Sequence, residues 1–164
     1  MKKLIFRGAG VAIVTPFTAD EINFPEFRRM IDHQIDHGTD AIIVAGTTGE
    51  AATMNDAEHK AAIKFAVETV RGRVPVIAGA GSNDTSYAIH LSQYSEQAGA
   101  DGLLLVTPYY NKCTQKGLVE HFRAIADSVS IPCILYDVPS RTGVSIKVPA
   151  YVELAKHPNI VPVK

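Results

Sequence analysis

The chain has 164 residues, and its 16 lysine and arginine residues nearly balance 17 aspartate and glutamate residues, giving a formal net charge of −1. This balance leaves no excess of cations to neutralise phosphates, and the apolar runs are far shorter than the ~20 residues that cross a bilayer, so we expect neither a nucleic acid nor a membrane as partner. With 46% apolar residues and only two cysteines, the composition is typical of a reduced, cytoplasmic globular protein.

Short apolar runs alternate with segments of helical periodicity along the chain. The runs recur every 27 to 35 residues and begin near Val11, Ala41, Val76, Leu103, Cys133 and Ile160. The segments between them carry apolar side chains on one face, as amphipathic helices do, and span residues 25–37, 56–70, 84–98, 115–129 and 148–156. The runs themselves are nearly continuous in apolar residues, which is typical of parallel strands buried on both faces. The sequence therefore predicts a repeated βα unit.

Two architectures are built from this repeat, a doubly wound open sheet and a (β/α)₈ TIM barrel. The open sheet usually carries a glycine-rich phosphate loop after its first strand, and residues 14–17 contain no glycine. The barrel needs roughly 250 residues, but it explains why polar residues follow the carboxyl end of each run, which is the catalytic face of a barrel. We therefore expect residues 1–164 to be the N-terminal part of a single (β/α)₈ barrel domain. They would cover about five and a half βα units and end in the sixth strand.

Two residues at the ends of predicted strands are candidates for covalent chemistry. Lys164 follows the sixth apolar run. Moving an ammonium group out of water favours the neutral amine, which can add to a ketone to form a Schiff base. Tyr136 ends the fifth run, and its phenol could relay protons beside that amine. The alternatives are a surface lysine at a strand end and a rim tyrosine that caps a backbone group.

Three loops hold further candidates. Thr47 and Thr48 lie in a glycine-containing turn at residues 46–50, where backbone N–H groups and hydroxyls could hold a carboxylate at a helix N-terminus. Loop geometry alone would also explain those glycines. Arg141 could bind a substrate carboxylate through two parallel hydrogen bonds, or it could pair with Asp137 at the rim. The adjacent Tyr109 and Tyr110 form a pattern that is commoner in packing than in chemistry.

Other chemistries lack their signatures. His33 and His37 have the spacing of a metal pair, but the sequence has no H-E-x-x-H motif, so we expect no metal. Neither a Walker loop nor a G-x-S-x-G elbow occurs. Cys113 and Cys133 have no obvious activating partner. The sequence contains no other cofactor-binding motif, so we expect the protein to use no cofactor.

Four motifs together resemble the dihydrodipicolinate synthase family, also called 4-hydroxy-tetrahydrodipicolinate synthases, within the pyruvate-dependent class I aldolases. They are residues 46–50, 107–111 and 136–143, followed by Lys164, and the resemblance extends over residues 8–164. It implies a homotetrameric (β/α)₈-barrel lyase, a dimer of dimers. Such an enzyme condenses pyruvate with L-aspartate 4-semialdehyde to 4-hydroxy-tetrahydrodipicolinate in lysine and diaminopimelate biosynthesis. Its covalent chemistry needs only a lysine Schiff base and no cofactor.

The resemblance also implies roles for single residues. Lys164 would form the Schiff base with pyruvate. Three side chains would form a proton relay: Tyr136, Thr47 and Tyr110. Tyr110 would reach into the site of a neighbouring subunit. Thr48 would hold the carboxylate of pyruvate, and Arg141 that of aspartate semialdehyde.

In family members that lysine inhibits, the effector binds at a subunit interface. His59, Asn83 and Tyr109 match residues of that effector site. The acidic residue that would pair with the α-amino group of lysine is replaced by Tyr87, and a usual histidine is replaced by Asp56. An ammonium group that loses its carboxylate partner binds less well. The resemblance therefore predicts weak or absent inhibition by lysine.

Two other functions stay open. An aldolase of the N-acetylneuraminate lyase or keto-deoxy sugar acid type would share Lys164 and Tyr136, although Arg141 suits a small carboxylate-bearing aldehyde better than a polyol. A non-catalytic barrel fragment is expected if the chain truly ends at Lys164.

Two residues depart from the usual pattern. Asp137 stands where the family usually has asparagine, and Pro162 is unusual within a strand because proline cannot donate a hydrogen bond to the ladder.

Overall fold

A computed structural model describes residues 4–164 of the chain, with side chains at all of these positions except 162 and 163. Within this part of the chain, six parallel strands form one sheet in sequential order. They are β1 (Gly10–Ala12), β2 (Ala41–Val44), β3 (Val76–Gly79), β4 (Gly102–Val106), β5 (Cys133–Tyr136) and β6 (Ile160–Val163). The predicted βα repeat is confirmed, because a helical segment lies between each strand and the next.

The helices begin close to the predicted positions. They are α1 (Phe24–Asp36), α2 (Asp56–Val70), α3 (Thr85–Gln97), α4 (Gln115–Asp127), α5 (Pro139–Thr142) and α6 (Val148–Leu154), with a short 3₁₀ helix at Ala51–Thr53. Polar side chains that accept hydrogen bonds from first-turn N–H groups explain where α1 to α4 begin: Asn23, Asn55, Asp84 and Thr114. The one-turn helix α5 was not predicted, because four residues are too few to display helical periodicity.

The two faces of the sheet differ in what covers them. In β2, Ile42 and Val44 belong to a large core that includes buried residues of the helices, such as Phe27 and Phe122. Ala41 and Ile43, on the opposite face, belong to a small cluster formed by strand residues and the N-terminal segment. The helices therefore cover one face, as in a barrel, and the sequential strand order contains no reversal point. The doubly wound alternative is wrong, and the fold is part of a (β/α)₈ barrel.

The pairing of β5 with β6 is irregular. Cys133 pairs with Ile160 and Leu135 with Val163, so the register shifts between these two pairs. This irregularity coincides with Pro162, which cannot donate a hydrogen bond to the ladder.

Among residues 4–164, the helices are all too short or too polar to cross a membrane.

Candidate active site

A cavity of about 610 Å³ opens at the carboxyl ends of the strands. The residues that line it and carry polar side chains come from widely separated parts of the sequence: Thr47, Asp56, His59, Ser82, Tyr87, Tyr109, Tyr136, Arg141 and Thr142. Their convergence follows from the parallel sheet, in which all strand ends meet at one edge. The expected catalytic face of the barrel is thus a concave site.

The wall of the cavity depends on close approaches between strand ends. A Cβ atom on Gly79 would collide with the carbonyl group of Ala45, and one on Gly81 would collide with the backbone N of Val106. Ala45 itself has a φ of 52°, in the left-handed region that residues other than glycine rarely adopt. Backbone therefore forms this part of the wall, and a larger residue at position 79 would push it apart.

The turn after β2 is hydrogen-bonded to the segment that follows β1. The buried hydroxyl of Thr15 donates a hydrogen bond to the carbonyl oxygen of Gly49 at 2.8 Å. Thr47 and Thr48 are both exposed, and Thr47 lines the cavity whereas Thr48 lies outside the lining. A three-residue 3₁₀ helix follows the turn and α2 begins at Asp56, as predicted, so the helix N-terminus that directly follows the turn is that of the 3₁₀ helix. The position of Thr15 after the first predicted strand was evident from the sequence, but its hydrogen bond to Gly49 was not.

Lys164 and Tyr136 meet at the ends of β6 and β5. The Lys164 Nζ atom lies 5.3 Å from the centroid of the Tyr136 ring. Backbone hydrogen bonds fix this pairing, since Lys164 N donates to Leu135 O at 2.8 Å and Asp137 N donates to Lys164 O at 3.0 Å. Lys164 is exposed among the described residues. The expected desolvation of this lysine is therefore not provided by residues 4–164.

Arg141 lies on α5 and, like Tyr136, lines the cavity. The alternative in which it pairs with Asp137 is wrong. The Asp137 carboxylate instead accepts hydrogen bonds from Ser145 Oγ, Ile146 N and Tyr151 Oη, at 3.3, 3.1 and 3.2 Å. Among the described residues Arg141 forms no ion pair, so its guanidinium is available to an anion in the cavity.

The two adjacent tyrosines differ in position. Tyr109 lines the cavity. Tyr110 is 91% exposed, adopts a φ of 73° and lies outside the lining. The structure thus separates Tyr110 from Tyr136 and Thr47, and its membership of a proton relay across subunits stays a prediction.

The predicted effector residues are only partly brought together. His59 lines the cavity, and its Nε2 atom lies 2.8 Å from Gly79 O; burial lowers the pKa of this histidine. Asn83 lies outside the lining, where it donates to Asn111. Asp56 and Tyr87 form a hydrogen bond of 3.1 Å between the Tyr87 hydroxyl and the Asp56 carboxylate. A hydrogen bond from Lys60, at 2.8 Å, is the main cause of the lowered pKa of Asp56.

The described residues offer no group of three or more metal-ligating side chains. Burial raises the pKa of the Cys133 thiol to about 12, and it also raises the pKa of Cys113. Both thiols are therefore poor nucleophiles at neutral pH, in agreement with their lack of activating partners.

Comparisons with known proteins show the family to which the chain belongs. The model of the dihydrodipicolinate synthetase family matches residues 5–164. A 4-hydroxy-tetrahydrodipicolinate synthase from Acetivibrio thermocellus is 58% identical over 164 residues, which are 100% of this chain and 56% of that protein. The crystal structure of dihydrodipicolinate synthase from Aquifex aeolicus has a TM-score of 0.95 at 48% identity, covering 97% of this chain and 55% of that one.

A second solved structure is the chloride-inhibited dihydrodipicolinate synthase from Acinetobacter baumannii in complex with pyruvate. Its TM-score is 0.95 at 46% identity, over 98% of this chain and 55% of that chain. The chain thus spans about half the length of the relatives that it matches.

Proposed function

Because this chain belongs to the dihydrodipicolinate synthetase family, we propose that the full-length protein condenses pyruvate with L-aspartate 4-semialdehyde to 4-hydroxy-tetrahydrodipicolinate. The observation that carries the proposal is the position of Lys164 over the Tyr136 ring, beside a cavity that Thr47 and Arg141 also line. An amine nucleophile, hydroxyl groups for proton transfer and a guanidinium for a carboxylate are the groups that this reaction requires.

Lys164 begins the reaction. Its neutral amine adds to the ketone carbon of pyruvate, and loss of water gives an imine. Loss of a proton from the pyruvate methyl group converts the imine to an enamine, whose terminal carbon attacks the aldehyde carbon of the second substrate. The aldehyde oxygen takes up a proton and becomes a hydroxyl. The amino group of the second substrate then attacks the imine carbon, closes the ring and releases Lys164.

Tyr136 and Thr47 are the hydroxyl groups in the cavity that move these protons, with Tyr110 supplied by a neighbouring subunit. Thr48 and the backbone of the turn at 46–50 hold the pyruvate carboxylate. Arg141 holds the carboxylate of the aldehyde substrate through charge-assisted hydrogen bonds. The positions of Thr47, Tyr136 and Arg141 in the cavity lining support their roles, whereas the roles of Thr48 and Tyr110 rest on the family resemblance.

The whole protein is proposed to be a cytoplasmic homotetramer of single (β/α)₈ barrels that acts in lysine and diaminopimelate biosynthesis. It would use no cofactor, because the Schiff base on Lys164 provides the electron sink. The exposed ring of Tyr110 supports the tetramer, since a tyrosine that is 91% exposed in one chain is available to a partner chain.

Trapping the imine tests the proposal. Full-length protein incubated with pyruvate and borohydride should gain the mass of one reduced pyruvate per subunit, and peptide mapping should locate it on Lys164. Lys164→Ala should gain none, whereas Lys147→Ala, the matched control at another exposed lysine, should be labelled normally. A label on any other lysine would contradict the assignment. The full-length protein should turn over aspartate semialdehyde and should not cleave a sugar-acid substrate. This comparison separates the proposed function from that of the related aldolases.

A further inference from the structure

The segment of residues 138–147 joins β5 to α6 and carries Arg141 to the cavity. Its two ends are brought together by one side chain. Asp137 directly precedes the segment, and its Oδ2 atom accepts hydrogen bonds from Ser145 Oγ and Ile146 N near the far end and from Tyr151 Oη on α6. A single carboxylate oxygen thus closes the loop.

Asp137 is also attached to the strand that carries the lysine. Its backbone N–H donates to Lys164 O at 3.0 Å, and this bond extends the β5–β6 ladder by one residue. The backbone of Asp137 is therefore hydrogen-bonded to Lys164, while its side chain is hydrogen-bonded to the segment that carries Arg141. No other described residue makes both connections.

The phenol of Tyr151 is a durable donor in this arrangement. Burial first, and then the neighbouring Asp137 carboxylate, raises the pKa of Tyr151 to about 12, so the hydroxyl keeps its proton at any pH where the protein would work. A second attachment is independent of Asp137. Gln115 at the start of α4 donates to Ser145 O at 2.9 Å and accepts from Lys147 N at 2.8 Å. The far end of the segment is thus fixed to α4, and its distance from β5 depends on Asp137.

We propose that Asp137 is a positioning residue, which holds the 138–147 segment against the end of β5 and thereby sets where the Arg141 guanidinium stands relative to Lys164. The inference deepens the proposed function and rests on it for the identity of the bound group, the carboxylate of the aldehyde substrate. Arg141 depends on this support because, in the part of the chain that the structure describes, no ion pair holds its side chain.

The hydrogen-bond pattern of Asp137 indicates which substitution is conservative. Its Oδ1 atom is buried and has no hydrogen-bond partner among the described residues. In Asp137→Asn the amide oxygen can keep the three donors, and the amide nitrogen can occupy the position of Oδ1, so no bond is lost. Asp137→Ala removes all three bonds. Tyr151→Phe removes one donor and keeps the ring.

The kinetic test compares these variants in the full-length enzyme. Asp137→Ala should raise KM for aspartate semialdehyde about tenfold, because small misplacements of a binding group weaken its contact, while KM for pyruvate and the borohydride-trapped adduct on Lys164 stay as in the wild type. Asp137→Asn should stay within about threefold of the wild type in both KM values, and Tyr151→Phe should lie between the two. An unchanged KM for the aldehyde in Asp137→Ala, or an equal rise for both substrates, would overturn the proposal.

Hydrogen exchange supplies a readout that needs no activity. Peptides covering residues 144–151 should exchange faster in Asp137→Ala than in wild type and Asp137→Asn, whereas the amide of Ala80, which donates to Leu104 O in the sheet, should not change. If the wild type formed no pyruvate adduct, the proposed function would fail, but the exchange measurement would still test whether Asp137 holds the segment. Unchanged exchange at 144–151 in Asp137→Ala would overturn the positioning role of Asp137.

Discussion

The side-chain nitrogen of Lys164 stands over the ring of Tyr136, with 5.3 Å between Nζ and the ring centroid. The two residues end neighbouring strands, and the backbone hydrogen bonds between β5 and β6 hold them in register. Because strand pairing rather than a flexible loop sets this distance, replacement of either side chain should alter the chemistry without moving the other.

We expect Tyr136→Phe to lower kcat about 100-fold or more, since proton transfer by a positioned side chain typically contributes 10²- to 10⁴-fold. The ring that lies under Lys164 is kept, so the thermal midpoint of unfolding and the pyruvate adduct on Lys164 should be preserved. Steady-state kinetics with both substrates measures the effect. Turnover equal to the wild type would exclude Tyr136 from the relay.

Arg141→Ala should raise KM for aspartate semialdehyde by about 10- to 100-fold, the equivalent of a lost charge-assisted contact of roughly 1.5–3 kcal/mol. Formation of the imine with pyruvate should be unaffected. Arg29→Ala is the matched control, because Arg29 pairs with Glu26 on the exposed side of α1, far along the chain from the cavity. A rise in KM for pyruvate instead would assign Arg141 to the other substrate.

Gly79→Ala should destabilise the protein by about 1–3 kcal/mol, because the added methyl group would collide with the carbonyl of Ala45, which is backbone and cannot rotate away. Gly46→Ala is the control, since the nearest atom to its added Cβ would be Leu104 Cδ2 at 3.9 Å, an ordinary contact. Urea unfolding of both variants gives the free energies. Equal stabilities would show that the wall of the cavity can yield at Gly79.

The stability of the fold should depend on His121. Burial lowers the pKa of this histidine to about 4, against an ordinary value near 6.5. The unfolded chain then binds more protons than the folded one between these values, so the free energy of unfolding should fall by about 1–3 kcal/mol as the pH falls from 6.5 to 4. Urea titrations across this range measure the slope.

In His121→Gln that dependence on pH should become shallower, because the substituted side chain does not titrate. His37→Gln, at an exposed position after α1, is the control and should keep the wild-type slope. A slope that is the same in His121→Gln and the wild type would contradict the assignment to His121.

Lysine should inhibit the full-length enzyme weakly or not at all. The carboxylate of Asp56 already accepts hydrogen bonds from Lys60 and Tyr87, so it is less available to the α-amino group of an effector. Initial rates over a series of lysine concentrations measure this. Half-maximal inhibition below about 1 mM, which corresponds to a binding free energy stronger than roughly −4 kcal/mol, would contradict the prediction.

Local patterns in the sequence were sufficient for the repeated βα unit and for the face on which reactive residues lie. Apolar runs of strand length and amphipathic segments report burial residue by residue, and capping side chains such as Asn55 act on their own helix. The motifs around Thr47, Tyr136 and Arg141 were recognised for the same reason, because each is contiguous in the chain.

Tertiary structure decided what depends on contacts between distant residues. The sequence left open whether the Asp137 carboxylate pairs with Arg141. The path of the segment after β5 shows that it accepts hydrogen bonds from Ser145, Ile146 and Tyr151 instead. The need for glycine at position 79 likewise depends on the approach of Ala45. The hydrogen-bond partners of a side chain and the space around it are set by residues that are close in three dimensions. Those residues are often distant in sequence, so a local sequence pattern does not identify them.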